Sequence, residues 1–177
     1  MGYGEDEEVQ FLNKYLVYLL SRQDSFQTIL SMKFISSSDS TATFELAILG
    51  YSTTTKTWRD RNRLQCRFST LWGHKADTHS APLQTWEIRR LLSGLQLLWT
   101  KATKHLTLSF PAPGLSLDAK VLSNDAFRLQ IQLDYDLTPS WHKYPDFPME
   151  MAIFLSRDQL QEAIQELAGQ VDAYPER

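Results

Sequence analysis

Apolar positions recur along the chain with two periods, and each period predicts its own kind of element. In residues 5–22, Val9, Leu12, Leu16 and Leu19 fall at spacings of three and four, with Phe11, Tyr15 and Tyr18 beside them, which predicts an amphipathic helix. The acidic run 5–8 lies in its first turn, where negative charge complements the exposed N–H groups; a solvated helix start is preferred here to an acidic docking tail. Period two then takes over. Residues 26–35 and 41–49 read as strands around the polar turn 36–40, and Phe44, Leu46 and Ile48 share one face of the second. After a loop at 50–60, Leu64, Cys66 and Phe68 alternate with Arg63, Gln65, Arg67 and Ser69, the clearest strand signal in the chain. Residues 73–82 read as a second polar loop.

The helical period returns at 86–102, where Ile88, Leu91, Leu92, Leu95, Leu98, Trp99 and Ala102 trace a wide apolar stripe behind Thr85 as N-cap and Glu87 in the first turn. Gly94 in mid-helix points to close packing against the sheet. Strands are expected at 105–110, 115–122 and 126–136, the last with Phe127, Leu129, Ile131, Leu133 and Tyr135 alternating with polar residues, as in a half-solvated antiparallel strand. A Pro-rich aromatic loop at 138–148 leads into a strand at 149–155. Ser156 and Gln159 then make a capping box, with Leu155 and Leu160 placed as a hydrophobic staple. Leu160, Ile164, Leu167 and Val171 form the stripe of that final helix, Gly169 marks its expected end, and the tail 172–177 is expected to be loose. The whole chain, 1–177, reads as one domain: a helix at 5–22 and an α+β core at 26–171. That core is an antiparallel β-sheet or sandwich with a packed central helix and a C-terminal helix.

Composition narrows the function. Lys and Arg number 18 against 21 Asp and Glu, a net charge of −3, whereas dedicated nucleic-acid binders carry a strong basic excess. One cysteine builds neither a disulfide framework nor a thiolate zinc site. The chain opens with acidic residues rather than a basic n-region, and its apolar runs are interrupted well short of a membrane span, so a cytoplasmic protein is expected.

Chemistry finds few footholds. Cys66 shares its strand face with Leu64 and Phe68, where burial makes a thiol inert. His74 and His79, with Asp77 between them, lack the spacing of a metal pair and read as solvated loop residues. Gly-x-Gly-x-x-Gly, the phosphate-binding Gly-x-x-x-x-Gly-Lys and Gly-x-Ser-x-Gly are all absent. Asp134 and Asp136 point to one face of the expected strand, yet strand-end carboxylates are more commonly solvated edge charges. No cofactor or metal is expected.

Two surface features remain. Arg59, Arg61, Arg63 and Arg67 make a basic stripe opened by Trp58; residues 61, 63 and 67 would share a strand face, free for an acidic partner or paired across strands with Glu45. The run Trp141-His142-Lys143-Tyr144-Pro145-Asp146-Phe147-Pro148 either roofs the core or anchors a partner.

The order of parts carries a resemblance. Leu49-Gly50-Tyr51 ends a strand, Arg59-Asp60-Arg61-Asn62-Arg63-Leu64 opens the next, and Thr85-Trp86-Glu87-Ile88 starts the leucine-rich helix. Pro113-Gly114-Leu115-Ser116-Leu117 and a long alternating strand follow, ahead of the capped C-terminal helix. Over about residues 27–170 this layout resembles the WapI-type immunity proteins of bacterial contact-dependent toxin systems, in which a Gly-Tyr segment precedes an Asp-x-Asn-x-Leu strand. Arg63 stands where that group has an aromatic residue. The resemblance implies a non-enzymatic protein that binds and neutralises a cognate toxin domain. The residues expected to meet it are Trp58, Arg59, Arg63, Arg67, Trp141 and Tyr144. The alternatives are a nucleic-acid-associated factor using the arginine strand, and a small-ligand carrier or enzyme with Asp134 and Asp136 near a cavity between sheet and helix.

Overall fold

A computed structural model of the chain describes residues 30–38, 41–53, 56–123 and 125–177; the expected helix at 5–22 lies outside them. Strong alternation becomes the middle of a sheet. Strand β3 (Arg63–Trp72) buries Leu64, Cys66, Phe68 and Thr70 and turns Arg63, Gln65, Arg67 and Ser69 outward. It pairs antiparallel with β2 (Ala42–Tyr51) on one side and β4 (Lys75–Gln84) on the other, while β1 (Ser31–Ile35) pairs with β2, so the order is β1-β2-β3-β4.

Two readings of this half are corrected. The 73–82 loop is almost entirely strand β4, in register from Trp72↔Lys75 to Arg63↔Gln84. Gly73, at φ +62°, takes the first central position of a two-residue turn, where a tight hairpin requires positive φ. Within β4 only Ala81 and Leu83 are buried, so no apolar alternation announced it. The 50–60 loop contains a four-residue helix, α1 (Trp58–Arg61).

The second sheet has the order β5-β6-β7-β8, all antiparallel: β5 (His105–Phe110), β6 (Leu115–Ser123), β7 (Ala126–Leu133) and β8 (Met149–Ser156). Strand β7 stops before Asp134, which caps a 3-10 turn at Tyr135–Leu137 by accepting the Tyr135 N–H at 2.8 Å. The Asp134 N–H also donates to the Gly114 carbonyl at 2.8 Å, and Tyr135 takes φ 48°. Asp134 and Asp136 are therefore not a carboxylate pair on one strand.

Helix α2 (Thr85–Trp99) starts one residue earlier than the pattern predicted. Gln84 is the N-cap, its N–H donating to Glu87 Oε2 at 2.8 Å, and Thr85 is buried in the first turn. Gly94 has the predicted close approach: a Cβ there would stand 3.0 Å from the Leu106 side chain and 3.3 Å from that of Leu108, both on β5. Helix α3 (Arg157–Ala173) carries the capping box read from the sequence, with Ser156 N–H to Gln159 Oε1 at 2.9 Å and Gln159 N–H to Ser156 Oγ at 3.2 Å. The Arg157 guanidinium lies over the Trp99 ring at 4.5 Å, joining the start of α3 to the end of α2. Gly169 does not end α3. The segment 174–177 is not loose either, being held by Tyr51, Asn62 and Arg89.

One apolar cluster runs through both sheets: Met32, Phe34, Phe44 and Leu46 from the first and Leu117, Leu129, Ile131 and Ile153 from the second, with Leu91, Leu95 and Leu98 of α2 and Leu160 and Leu167 of α3. Each is 3 % exposed or less, which at roughly 1.5–3 kcal/mol per large side chain makes this burial the main stabilising term.

Candidate functional site

Local hydrogen bonding builds the surface around α1. Thr57 Oγ1 accepts the Asp60 N–H at 3.2 Å while Asp60 Oδ2 accepts the Thr57 N–H at 3.1 Å, a reciprocal cap that closes this short turn on itself. It presents Trp58, 47 % exposed, with Arg59 and Arg61 exposed beside it. Asn62 then turns fully inward, and Arg63 opens β3 on the outer face. The guanidinium groups of Arg59, Arg61 and Arg63 have no ion-pair partner among the described residues. Arg67 does, 4.0 Å from Glu45 of the neighbouring strand. Arg61 belongs to α1 and not to the strand, so only Arg63 and Arg67 share the β3 face, about 13 Å apart at roughly 3.3 Å per residue.

The aromatic loop divides between two roles. Trp141 is half-buried against the core, with the Lys75 ammonium 5.7 Å from its ring centroid. The adjacent Ser140 N–H donates to Asp77 Oδ2, whose carboxylate also lies 3.2 Å from His79 Nε2. Tyr144 is 58 % exposed and has the Lys143 ammonium 5.3 Å from its ring. Phe147, 67 % exposed, is an exposed aromatic that the sequence reading did not single out, although it sits in the same aromatic run.

The structure groups the expected contact residues into two patches, not one. Trp58, Arg59 and Arg63 stand at the start of β3, with Arg67 further along the same face, and Arg63 pairs with Gln84 at the end of β4. Trp141 stands near Lys75, at the beginning of β4, with Tyr144 three residues further along the same loop. Nine residue steps of β4 separate the two ends, about 30 Å.

Reactive groups lie elsewhere or are silenced. Burial pushes the Cys66 thiol up to about 12, beyond nucleophilic use at neutral pH. Among the described residues, no three His, Cys, Asp or Glu side chains are placed to hold a metal ion. None of their helices is long and apolar enough to cross a membrane.

Comparison with known proteins adds the following. The family described as the Immunity protein WapI-like family matches residues 33–175. No curated protein sequence matches the chain. A chain in the solved structure entitled "Structure of a guideRNA-binding protein complex bound to a gRNA" superposes with a TM-score of 0.45 at 10 % sequence identity, over 80 % of this chain and 89 % of that one.

Proposed function

The chain belongs to the WapI-like immunity protein family, and we propose that it binds and blocks a protein toxin domain, by contact and without chemistry of its own. The observation that carries this reading is the family match across residues 33–175, which takes in all but the first two residues of the two sheets and all three α-helices among the described residues. The surface best suited to the contact is the α1 end of the first sheet. Trp58 supplies an aromatic anchor, and Arg59, Arg61 and Arg63 supply guanidinium groups without an ion-pair partner among the described residues, on a chain whose net charge is −3. A local positive patch of that kind favours an acidic partner face, speeding capture and rejecting basic competitors. Arg67 extends the patch along β3. Trp141, about 30 Å away by the length of β4, and Tyr144 in the same loop would join only in contact with a broad partner.

The test is capture followed by rescue. The tagged chain is used as bait in the strain that carries it, with the toxin expressed and at low salt. The expected result is recovery of a toxin's C-terminal domain in equal amounts, and restored growth when that domain is produced together with this chain. The double variant Arg59→Glu/Arg63→Glu, folded by circular dichroism, should weaken capture at least about tenfold. A toxin domain that stops growth equally with and without the chain sinks the proposal.

A further inference from the structure

Residues 174–177 are engaged one after another. The Tyr174 ring meets the Tyr51 ring edge-on at 5.6 Å, and the Tyr51 hydroxyl donates to the Pro175 carbonyl. Glu176 pairs with Arg89 of α2 at 2.7 Å. The backbone of Arg177 is read on both sides by one side chain: its N–H donates to Asn62 Oδ1 at 2.7 Å, and its carbonyl accepts from Asn62 Nδ2 at 3.0 Å. The Arg177 guanidinium carbon lies 3.4 Å from the Tyr51 ring centroid. Main-chain pairing to an amide, a cation over an aromatic ring and one carboxylate–guanidinium pair are the contacts by which proteins recognise an extended peptide.

We propose that Tyr51, Asn62 and Arg89 form a peptide-binding clasp whose ligand is residues 174–177 of the same chain, and that occupancy of the clasp holds α1 in position. Asn62 is the link. Its side chain is 0 % exposed, and its second amide hydrogen goes to the Trp58 carbonyl at 3.1 Å, so the bound segment and α1 hang on one group. Its backbone adds a third connection, accepting the Thr85 N–H at 2.9 Å where α2 begins. Without the segment, Asn62 Oδ1 loses its donor and one Nδ2 hydrogen its acceptor, and the side chain satisfies them by turning to water, which releases the Trp58 carbonyl and loosens α1. Asn62 and Tyr51 are thus positioning residues for Trp58, Arg59 and Arg63. The consequence for toxin capture rests on the function proposed above; the clasp itself does not.

The experiment is hydrogen exchange at the Asp60, Arg61 and Asn62 amides, with the chain ended after Ala173 compared with the chain through Arg177. We expect at least tenfold faster exchange there on truncation, with the β6–β7 amides unchanged. A synthetic peptide of residues 172–177, added at millimolar concentration, should restore the protection, and the same peptide carrying Arg177→Ala should not. Unchanged exchange at α1, or no restoration by the peptide, overturns the proposal. Should the shortened chain not fold, Arg177→Ala in the chain through residue 177 is read instead: several-fold faster exchange confined to α1 supports the clasp, and unaltered exchange refutes it. None of these readouts uses the toxin, so failure to neutralise a toxin with the clasp intact counts against the proposed function alone.

Discussion

The first sheet has two edges, and at each a carboxylate accepts a strand N–H. At β1, Glu166 of α3 takes the Lys33 N–H at 3.1 Å, and Gln159 donates to the Ile35 carbonyl at 3.2 Å. At β4, Asp77 takes the N–H of its own neighbour Thr78 at 2.8 Å and that of Ser140 across the loop. The surroundings differ. A whole helix covers β1, whereas β4 leaves Ala76, Thr78 and Ser80 exposed. Pro82 helps protect β4: it occupies the same alternating set as Thr78 and Gln84, whose N–H groups point away from β3, so its missing donor faces the open side. A helix closes an edge at a cost, because it dries the groups that do the closing. Burial raises Glu166 above the ordinary 4.5, and Glu162 and Glu45 push the same way against the Lys33 contacts. At β4 the Ser140 and Thr78 donors and the neighbouring His79 bring Asp77 down to about 2.

Gln170 is the sharpest test of the covered edge. β1 has ended one step before Ile48, since its pairing stops at Ser31↔Ala47, and Gln170, 1 % exposed, continues the ladder with its side chain. It accepts the Ile48 N–H at 2.7 Å and donates to the Leu46 carbonyl at 3.4 Å. Gln170→Leu should lower stability by about 3 kcal/mol, because two buried backbone groups lose their partners. The measurement is the urea midpoint, and a loss below about 1 kcal/mol would mean that water reaches this edge.

Asp77→Asn comes next and should cost about 1 kcal/mol at neutral pH, since the amide oxygen is the weaker acceptor. Asp77 is depressed in the folded state, so its contribution is fully present above its unfolded value near 3.8 and is lost as pH falls towards 2. The gap between wild type and variant should therefore close over that interval in acid denaturation. A gap that persists at pH 2 would show that geometry, not charge, sets the effect. Glu166→Gln gives the smallest change, within about 0.5 kcal/mol of wild type and on the stabilising side at pH 7, as removing a charge that burial disfavours relieves a cost. The sign is opposite to that of Asp77: a raised folded value means the penalty is full above it, fades as pH falls from it towards the unfolded 4.5, and is gone below. Stability curves of this variant and wild type should converge in mild acid.

What was legible in the sequence follows the same division between local and distant causes. Ser156 and Gln159 are three residues apart, and their capping box was readable because it needs no other segment. Gly94 was readable because a glycine within a leucine stripe has few other uses, and Leu106 fills the space. β4 was not readable: with Pro82 inside it and only Ala81 and Leu83 buried, its strand character comes from pairing with β3. Among the candidate contact residues, type was legible but placement was not. Trp141 is drawn half-inward under Lys75, which precedes it by 66 positions (141 − 75), while Trp58 is left outside by a turn that closes on itself. The clasp was invisible for the same reason, since the Asn62–Arg177 contact spans 115 positions.

That span also bears on the order in which the molecule is made. A chain leaving the ribosome offers Asn62 early, but its partner appears only after both sheets, α2 and α3 have been synthesised. In vectorial synthesis the Asn62 side chain therefore waits for its Arg177 partner until both sheets and both long helices are available to fold, so the hydrogen bonds that the proposed clasp places beneath the turn carrying Trp58 are among the last of the described contacts to form.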